Sequence, residues 1–260
     1  MNIVVCVKQT PDTAATVTVE AGEVSWGEAP LVLNPWDEFA VEEALLTKEA
    51  HGGEVTAISL GPEEAQEALK QALAMGADQA KLISDPALAG ADSTVVSKAL
   101  AAAIKKQGEV DMVFFGRESV DSATGVTFAQ TARQLDWPLL SLVAGIESLD
   151  PEKGTITVER LLPEGRQLVT ANLPVAISVV KEINEPRYPS FMGIRKASKA
   201  EIPSLSGDDL DLEGDLTSRV EWPEVYEPPS VETEVEMIEG ETAEEKAQKL
   251  AERLVEEKVV

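Results

Sequence analysis

Cysteine, histidine and basic residues are all scarce in this sequence, and each scarcity excludes something. One Cys in 260 residues allows neither an internal disulfide nor a cysteine metal cluster. The single His, His51, has no second His or Cys with which to share a metal, and its place before Gly52-Gly53 reads as a solvated helix end. Twenty-two Lys and Arg face 47 Asp and Glu, a net charge of −25. The basic face that nucleic acid requires is therefore missing. No apolar run approaches the roughly 18 to 20 residues of a membrane span, so no membrane insertion is expected. Met1 to Lys8 lacks the length and flanks of a secretory signal and reads as a first strand. A reducing, cytoplasmic setting fits this cysteine usage.

What is present is a core. With 43% hydrophobic residues, 260 residues suffice for one large domain, or a domain with an appendage. Charge is uneven along it. Residues 201–260 hold 19 acidic and 5 basic side chains, net −14, which leaves −11 for the first 200. Between them, residues 181–200 are basic, with Lys181, Arg187, Arg195, Lys196 and Lys199 against Glu182 and Glu185. Composition therefore suggests a compact body, a basic junction near 181–200 and an acidic arm over 201–260.

Within the body, short apolar runs alternate with helical periodicity. Ile3 to Val7 has the pattern of a buried parallel strand. Val17–Val19 and Val24–Trp26 predict a hairpin turning at Ala21-Gly22. Asn34-Pro35 starts a helix with Asn as N-cap, Pro at the first position and Asp37 near the positive end; Gly52-Gly53 stop it. Val55–Leu60 is a strand, Pro62 opens a helix and Gly76 closes it. A strand at Ala80–Ile83, a helix capped by Asp92, a strand at Met112–Phe115 and a helix from Ala123 to Leu135 follow. This alternation predicts an α/β fold, an open parallel sheet with helices on both faces. Residues 140–180 read as strands joined by turns at 150–154 and 163–165. Beyond Pro203 periodicity is lost, and prolines 223, 228 and 229 predict an extended segment. Periodicity returns in a terminal helix with a capping box at Thr242–Glu245 and an apolar stripe of Ala243, Ala247, Leu250 and Leu254. Such an arm cannot bury itself alone and is expected to lie on the body or on a partner.

The candidate site is the segment Gly116-Arg117-Glu118-Ser119-Val120-Asp121-Ser122-Ala123-Thr124-Gly125-Val126-Thr127, which joins a strand to a helix. Ligands of open parallel sheets bind at the carboxyl ends of strands, and a helix start there offers N–H groups and partial positive charge to a phosphate. Hydroxyls at Ser119, Ser122, Thr124 and Thr127 add donors, and Gly116 and Gly125 permit close approach. The segment matches neither a Walker loop nor the Gly-x-Gly-x-x-Gly fingerprint. An ordinary turn with Asp121 or Ser122 as N-cap is the other reading. Cys6, inside a buried strand, is expected to be inert. No carboxylate pair stands out as a general acid and base, so no catalytic residue is assigned.

The run Val158-Glu159-Arg160, Gly165, Leu173-Pro174-Val175-Ala176 and Ile183-Asn184-Glu185-Pro186-Arg187-Tyr188-Pro189-Ser190-Phe191-Met192-Gly193-Ile194-Arg195-Lys196-Ala197 closely resembles the signature of the beta subunit of electron transfer flavoprotein. Val7-Lys8-Gln9, Asn34 to Glu38, Ala74 to Asp78 and Asp136-Trp137-Pro138 extend the likeness to about 200 residues. The resemblance implies a heterodimer with an alpha subunit that carries most contacts to the FAD. It implies flavin dehydrogenases as donors, a quinone oxidoreductase or another acceptor, and no turnover site in this chain. It also implies a structural AMP, held at Cys6, Asn34, Pro35, Trp36, Asp37, Leu60 and Gly116 to Thr127. An electron-bifurcating branch carries a second FAD there and shows Asp-Gly-Asp-Thr-Ala-Gln-Val-Gly-Pro. Here Asp121 and Thr124 agree, but Gly125-Val126 replaces Ala-Gln and Phe128 replaces a glycine, which favours AMP. Residues 187–199 resemble the family's partner-recognition loop, with Arg187, Tyr188, Phe191, Met192, Ile194, Arg195 and Lys196 as its candidates and Phe191 as its apolar anchor. Phe191-Met192 departs from the Leu-Pro common there, and burial of Phe191 in the body is the alternative.

Overall fold

Asn-Ile-Val-Val-Cys at the amino end forms β1 (Asn2–Cys6), buried at every position but the first. Its alternation divides the interior, because Ile3 and Val5 enter one core cluster and Val4 and Cys6 the other. The structure is a computed structural model and describes residues 1–212, 216–227, 229 and 235–259. After β1 come β2 (Gln9–Pro11), β3 (Thr18–Glu20), β4 (Glu23–Ser25), β5 (Leu31–Leu33) and α1 (Pro35–His51). Then follow β6 (Glu54–Leu60), α2 (Gln66–Met75), β7 (Gln79–Ile83), α3 (Ser93–Lys105), β8 (Met112–Phe115) and α4 (Thr127–Leu135). The remaining elements are β9 (Leu139–Asp150), β10 (Thr155–Leu162), β11 (Gly165–Asn172), β12 (Val175–Val179), α5 (Phe191–Ala197), β13 (Ser204–Leu205) and α6 (Ala243–Glu256).

The main sheet has nine strands in the order β11-β10-β9-β12-β8-β1-β6-β7-β13. From β9 to β13 each neighbouring pair is parallel, while β9-β10-β11 is an antiparallel meander. The expected parallel α/β sheet is therefore present and is widened on one side into a mixed sheet. After β11 the chain returns through β12 to pair with both β8 and β9. Ala40, Val41, Ala44 and Leu45 of α1 and Ala68, Leu69 and Ala72 of α2 cover one face; Val95, Ala99 and Ile104 of α3 and Ala132 and Leu135 of α4 cover the other. The chain leaves β1 toward β6 and β7, then crosses back so that β8 lies on β1's other side. The strand order thus reverses at β1/β8, the kind of crevice where such sheets bind ligands.

Local signals account for most boundaries. The Asp92 carboxylate caps α3 by accepting from the N–H groups of Thr94 and Val95. Gly52 ends α1 at φ 76° and Gly76 ends α2 at φ 136°, conformations that favour glycine. The β3–β4 hairpin turns on Ala21 and Gly22, at φ 53° and 86°. One helix differs from expectation. α4 begins at Thr127 and not at Ala123, because Ala123 and Gly125 adopt φ of 47° and 58°, which no α-helix accommodates. Neither Asp121 nor Ser122 is then its N-cap, which is Val126. The pairing of β2 with β5 had no counterpart in the sequence pattern. No helix among the described residues is long and apolar enough to cross a membrane.

The chain forms two compact units, Met1–Val225 and Tyr226–Val260. In the second, Thr242 caps α6 through the Glu245 N–H at 3.2 Å, and Glu245 reaches back to the Glu241 N–H at 3.0 Å. No residue of α6 is buried. Of the prolines expected in an extended segment, Pro223 and Pro229 lie in irregular backbone and Pro228 lies outside the described residues.

Residues 184–187 are tied to α1. Asn184 donates to the Phe39 carbonyl at 3.1 Å and to Glu43 at 3.0 Å. Arg187 places its fork on Glu42, Nε to Oε2 at 2.8 Å and Nη2 to Oε1 at 2.9 Å, and reaches Glu49 through Nη1 at 2.6 Å. Glu42 is only 4% exposed, so Arg187 neutralises a carboxylate that water cannot reach. Arg187→Ala is expected to destabilise the chain by about 2–3 kcal/mol, somewhat below a fully buried pair because Arg187 keeps 34% exposure. Adding Glu42→Met should recover most of the loss. Urea midpoints of the single and double variants check this, and an unrecovered double variant would show that the charge is not what matters.

Candidate functional site

The carboxyl ends of β1, β6, β7 and β8 open into a cavity of about 1160 Å³. Its lining includes Cys6, Asn34, Asp37, Leu60, Ile83, Phe115, Gly116 to Ser119, Ser122 and Thr124 to Phe128. It lies where the strand order reverses, and the start of α4 opens into it. That start has no side-chain cap, which leaves the first-turn N–H groups available to an anion.

Two buried side chains at the head of α1 build the floor. Asn34 is fully buried and does not use its side chain to cap α1. It grips the facing loop instead, donating from Nδ2 to the Glu118 carbonyl at 2.9 Å and accepting the Val120 N–H on Oδ1 at 3.2 Å. Asp37 accepts the Lys8 N–H at 2.8 Å and also bonds the Gly116 N–H and Asn34. Burial raises its pKa to about 7 against these hydrogen bonds and the charge of Lys8. The contact is tight enough to require glycine. A Cβ on Gly116 would stand 2.4 Å from Asp37 Oδ1 and 2.7 Å from the Trp36 carbonyl carbon.

The loop beyond is held by charge and by its own hydroxyls. Lys8 Nζ bonds both Asp121 oxygens, at 2.8 and 2.6 Å. Partial burial pushes the Asp121 carboxyl up, but the Lys8 hydrogen bond, Ser119 and the Lys8 charge outweigh it and hold the group low. Ser119 and Ser122 share a hydrogen bond of 2.9 Å, and the Ala123 N–H closes a turn on the Ser119 carbonyl at 2.8 Å. The Arg117 guanidinium lies 5.6 Å from the centre of the Trp36 ring. Burial, with the Asp37 charge, pushes the Cys6 thiol far up, so it stays protonated.

The structure thus brings most of the expected nucleotide residues to one cavity. Pro35, Trp36, Val120, Asp121 and Ala123 stand behind the lining, where they start α1, carry Arg117 or shape the loop. Sequence reasoning did not single out Lys8, or the far wall of Pro86, Leu88, Ala91, Val96, Val220 and Trp222. Lys8 had a signal, a cation at the carboxyl end of β1; Val220 and Trp222, brought in from an aperiodic segment, had none.

The partner-recognition candidates form a separate surface. Ser190 caps α5 through the Gly193 N–H at 3.0 Å, and a Cβ on Gly193 would stand 2.3 Å from the Ala74 carbonyl oxygen. Glycine at 193 therefore lets α5 lie against α2. Tyr188, Phe191, Met192 and Ile194 stand 97%, 80%, 67% and 53% exposed, so Phe191 is not packed in the body. Arg195 and Lys196 flank them and are exposed, whereas Arg187 is engaged with α1.

Residues 27–210 match the family model described as the electron transfer flavoprotein domain. The chain is 42% identical over 215 residues to the electron transfer flavoprotein subunit beta of Thermoanaerobacterium thermosaccharolyticum, covering 82% of this chain and 81% of that one. It is 36% identical to the protein of the same name in Bacillus subtilis, over 94% of both chains. It is also 36% identical to the caffeyl-CoA reductase-Etf complex subunit CarD of Acetobacterium woodii, over 100% of both.

Asp37 gives the fold a pH dependence whose sign can be fixed. Its ordinary pKa of 3.8 rises to about 7 in the folded chain. Between those values the folded state binds more protons than the unfolded one. The contribution of Asp37 is fully present below pH 4 and is lost as pH rises through about 7, at a slope of at most ~1.4 kcal/mol per pH unit. Asp37→Asn keeps the shape and one acceptor oxygen but does not titrate. Its urea midpoint is expected to fall less steeply than wild type between pH 4 and pH 7, and parallel profiles would mean that Asp37 is already ionised in the fold.

Proposed function

The chain belongs to the electron transfer flavoprotein family as a beta subunit, an electron-carrier subunit, and from that premise we propose that it pairs with an alpha subunit and holds a structural AMP in the cavity at the β1/β8 crevice. The uncapped start of α4, facing a loop locked by Asn34, is the observation that carries this reading. The donor set suits a phosphate. Backbone N–H groups at the head of α4 and the Thr127 hydroxyl would take its oxygens, Gly125 allows close approach, and Leu60 and Cys6 line the apolar depth. Filling this space ties β1, β6, β8 and α4 together, which suits a structural role.

FAD, when bound mainly to the alpha subunit, supplies the redox chemistry. This chain's part is to buttress that subunit and keep the electron path in place. It divides by role into the nucleotide-binding body at 1–186, the recognition segment at 187–200 and an arm at 201–260 that wraps the partner. The unburied stripe of Ala243, Ala247, Leu250 and Leu254 on α6 supports the arm's role. Tyr188, Phe191, Met192 and Ile194, rimmed by Arg195 and Lys196, dock donor flavin dehydrogenases as an apolar hot spot. Electrons pass on to a quinone oxidoreductase or another acceptor, in the cytoplasm.

A second reading puts another FAD in place of AMP, as in electron-bifurcating relatives. The cavity favours it, since about 1160 Å³ exceeds the roughly 300–1,000 Å³ of ordinary small-molecule sites. Full-length similarity to a subunit named for a caffeyl-CoA reductase complex adds weight. Against it stand the departures at Gly125-Val126 and Phe128. Co-expression with the alpha subunit, denaturation of the purified complex and chromatography of the released nucleotides decide. One AMP and one FAD per heterodimer are expected; two FAD and no AMP would establish the second reading, and no nucleotide beyond the alpha-bound FAD would overturn both.

A further inference from the structure

The cavity has a wall that the nucleotide reading leaves unused. Besides the loop from Gly116 to Thr127, its lining includes Pro86, Leu88, Ala89, Gly90, Ala91 and Asp92, and Val220 and Trp222 from the chain after β13. Trp222 is 76% exposed although it lines a cavity. A large aromatic face on a nucleotide cavity wall, left uncovered by its own chain, calls for an occupant.

The segment that carries it is fastened at both ends to the cavity rim, by the same two residues that cap the neighbouring turns. Asp85 caps the turn at 86–88 with Oδ1 on the Ala87 N–H at 2.8 Å, and its Oδ2 accepts the Gly207 N–H at 2.8 Å. Asp92 caps α3 with Oδ1, and its Oδ2 accepts the Arg219 N–H at 2.7 Å. Ser218 completes this second fastening, since its Oγ accepts the Asp92 N–H at 2.8 Å. Between the fastenings Leu210 is buried at 5% exposure, and Leu212 and Leu216 pack against the α3 side of the core. Each aspartate joins a cavity wall to the strap with one carboxylate.

We propose that residues 206–212 and 216–222, fastened to the rim at Asp85 and Asp92, act as a strap on the nucleotide cavity, and that Trp222 presents its indole to the planar aromatic ring of the bound nucleotide. The proposal rests on the reading of this cavity as an adenine-nucleotide site. Its occupant is argued from continuity, because the wall holding Trp222 and the loop from Gly116 to Thr127 line one cavity. A nucleotide whose phosphate lies at the head of α4 has its ring elsewhere in that space. Apolar Leu88, Val96 and Val220 line the same cavity as Trp222 and suit a flat ring better than a phosphate. Adenine and isoalloxazine share this chemistry.

The test uses the co-expressed heterodimer and measures how fast its own nucleotide is lost during dialysis, identified by chromatography as AMP or FAD. Trp222→Ala should speed release about tenfold or more, in keeping with the loss of one base–aromatic stack. Trp222→Phe, which keeps an aromatic face, should stay within about threefold of wild type. Ser218→Ala, which loosens one fastening while leaving the Asp92 cap on α3, should speed release by a smaller factor. Tryptic cleavage after Arg219 should slow when AMP is added back to stripped complex and should not slow in Trp222→Ala. Wild-type release rates from Trp222→Ala, in a complex shown to carry the nucleotide, would overturn the strap alone. A wild-type complex with no nucleotide in this chain would overturn it together with the reading of the cavity.

Discussion

The structure depends on one buried turn, Asn34 to Asp37, at the head of α1. Three pieces of chain that are far apart in sequence meet there: the end of β1 at Lys8, the end of β8 at Gly116 and the loop at Glu118–Val120. Each is held through its backbone, by side chains that water cannot reach. Backbone groups at the ends of parallel strands have no ladder partners beyond the last residue, and burying them unpaired costs about 1–3 kcal/mol each. Asn34 and Asp37 supply the missing partners and so permit a crevice, where an apolar side chain would force the strands to close. Gly116 completes the arrangement, because any Cβ there would collide with Asp37 and Trp36.

From that turn the topology follows in both directions. On one side β6, β7 and β13 extend the parallel sheet; on the other, β12 enters between β8 and β9 and lets an antiparallel meander widen it. The cavity opens where the order reverses. α1 carries the consequence further along its length, since its first turn builds the cavity floor and its middle receives Asn184 and Arg187. One helix therefore supports both the nucleotide cavity and the segment leading into α5. A carrier subunit needs such placement more than it needs reactive groups, and the protonated Cys6 thiol fits that demand.

What was legible in the sequence was what short-range physics decides. Asp92 before an apolar period, Gly52 and Gly76 after one, and Ala21-Gly22 between two short strands each mark a boundary that their own neighbours enforce. That the loop from Gly116 to Thr127 would line a cavity was legible for the same reason, from a strand, glycines and hydroxyls in order. The start of α4 was not, because Ala123 takes a left-handed conformation that alanine gives no reason to expect. The role of Asn34 was half legible. Its N-cap position could be read, but its side chain serves the loop from 118 to 120, a partner more than eighty residues away. Gly193 carried no local signal, since the Ala74 carbonyl that requires glycine there lies in α2, far off in sequence. Segment 206–222 has no period, so nothing in its pattern could place Trp222 on a cavity wall.

The charge of the chain poses a sharper question, since a net −25 works against the binding of a phosphate. The carboxylates around the cavity answer it individually. Asp37 is held largely protonated below pH 7 by burial. Asp121 is neutralised by Lys8 at 2.6 Å. Asp85 and Asp92 each spend both oxygens on backbone N–H groups, which disperses their charge into caps and strap. Arg117 stands 3.8 Å from Glu118 and offsets it. The start of α4 at Val126, like that of α1 at Asn34, lies at the cavity without a side-chain cap, while α3 has its cap in Asp92. Donors and acceptors are thus sorted along the rim: acids take the N–H groups of residues 207 and 219 and of α3, and the start of α4 keeps no side-chain acceptor. Local pairing, not net charge, sets the field inside the crevice.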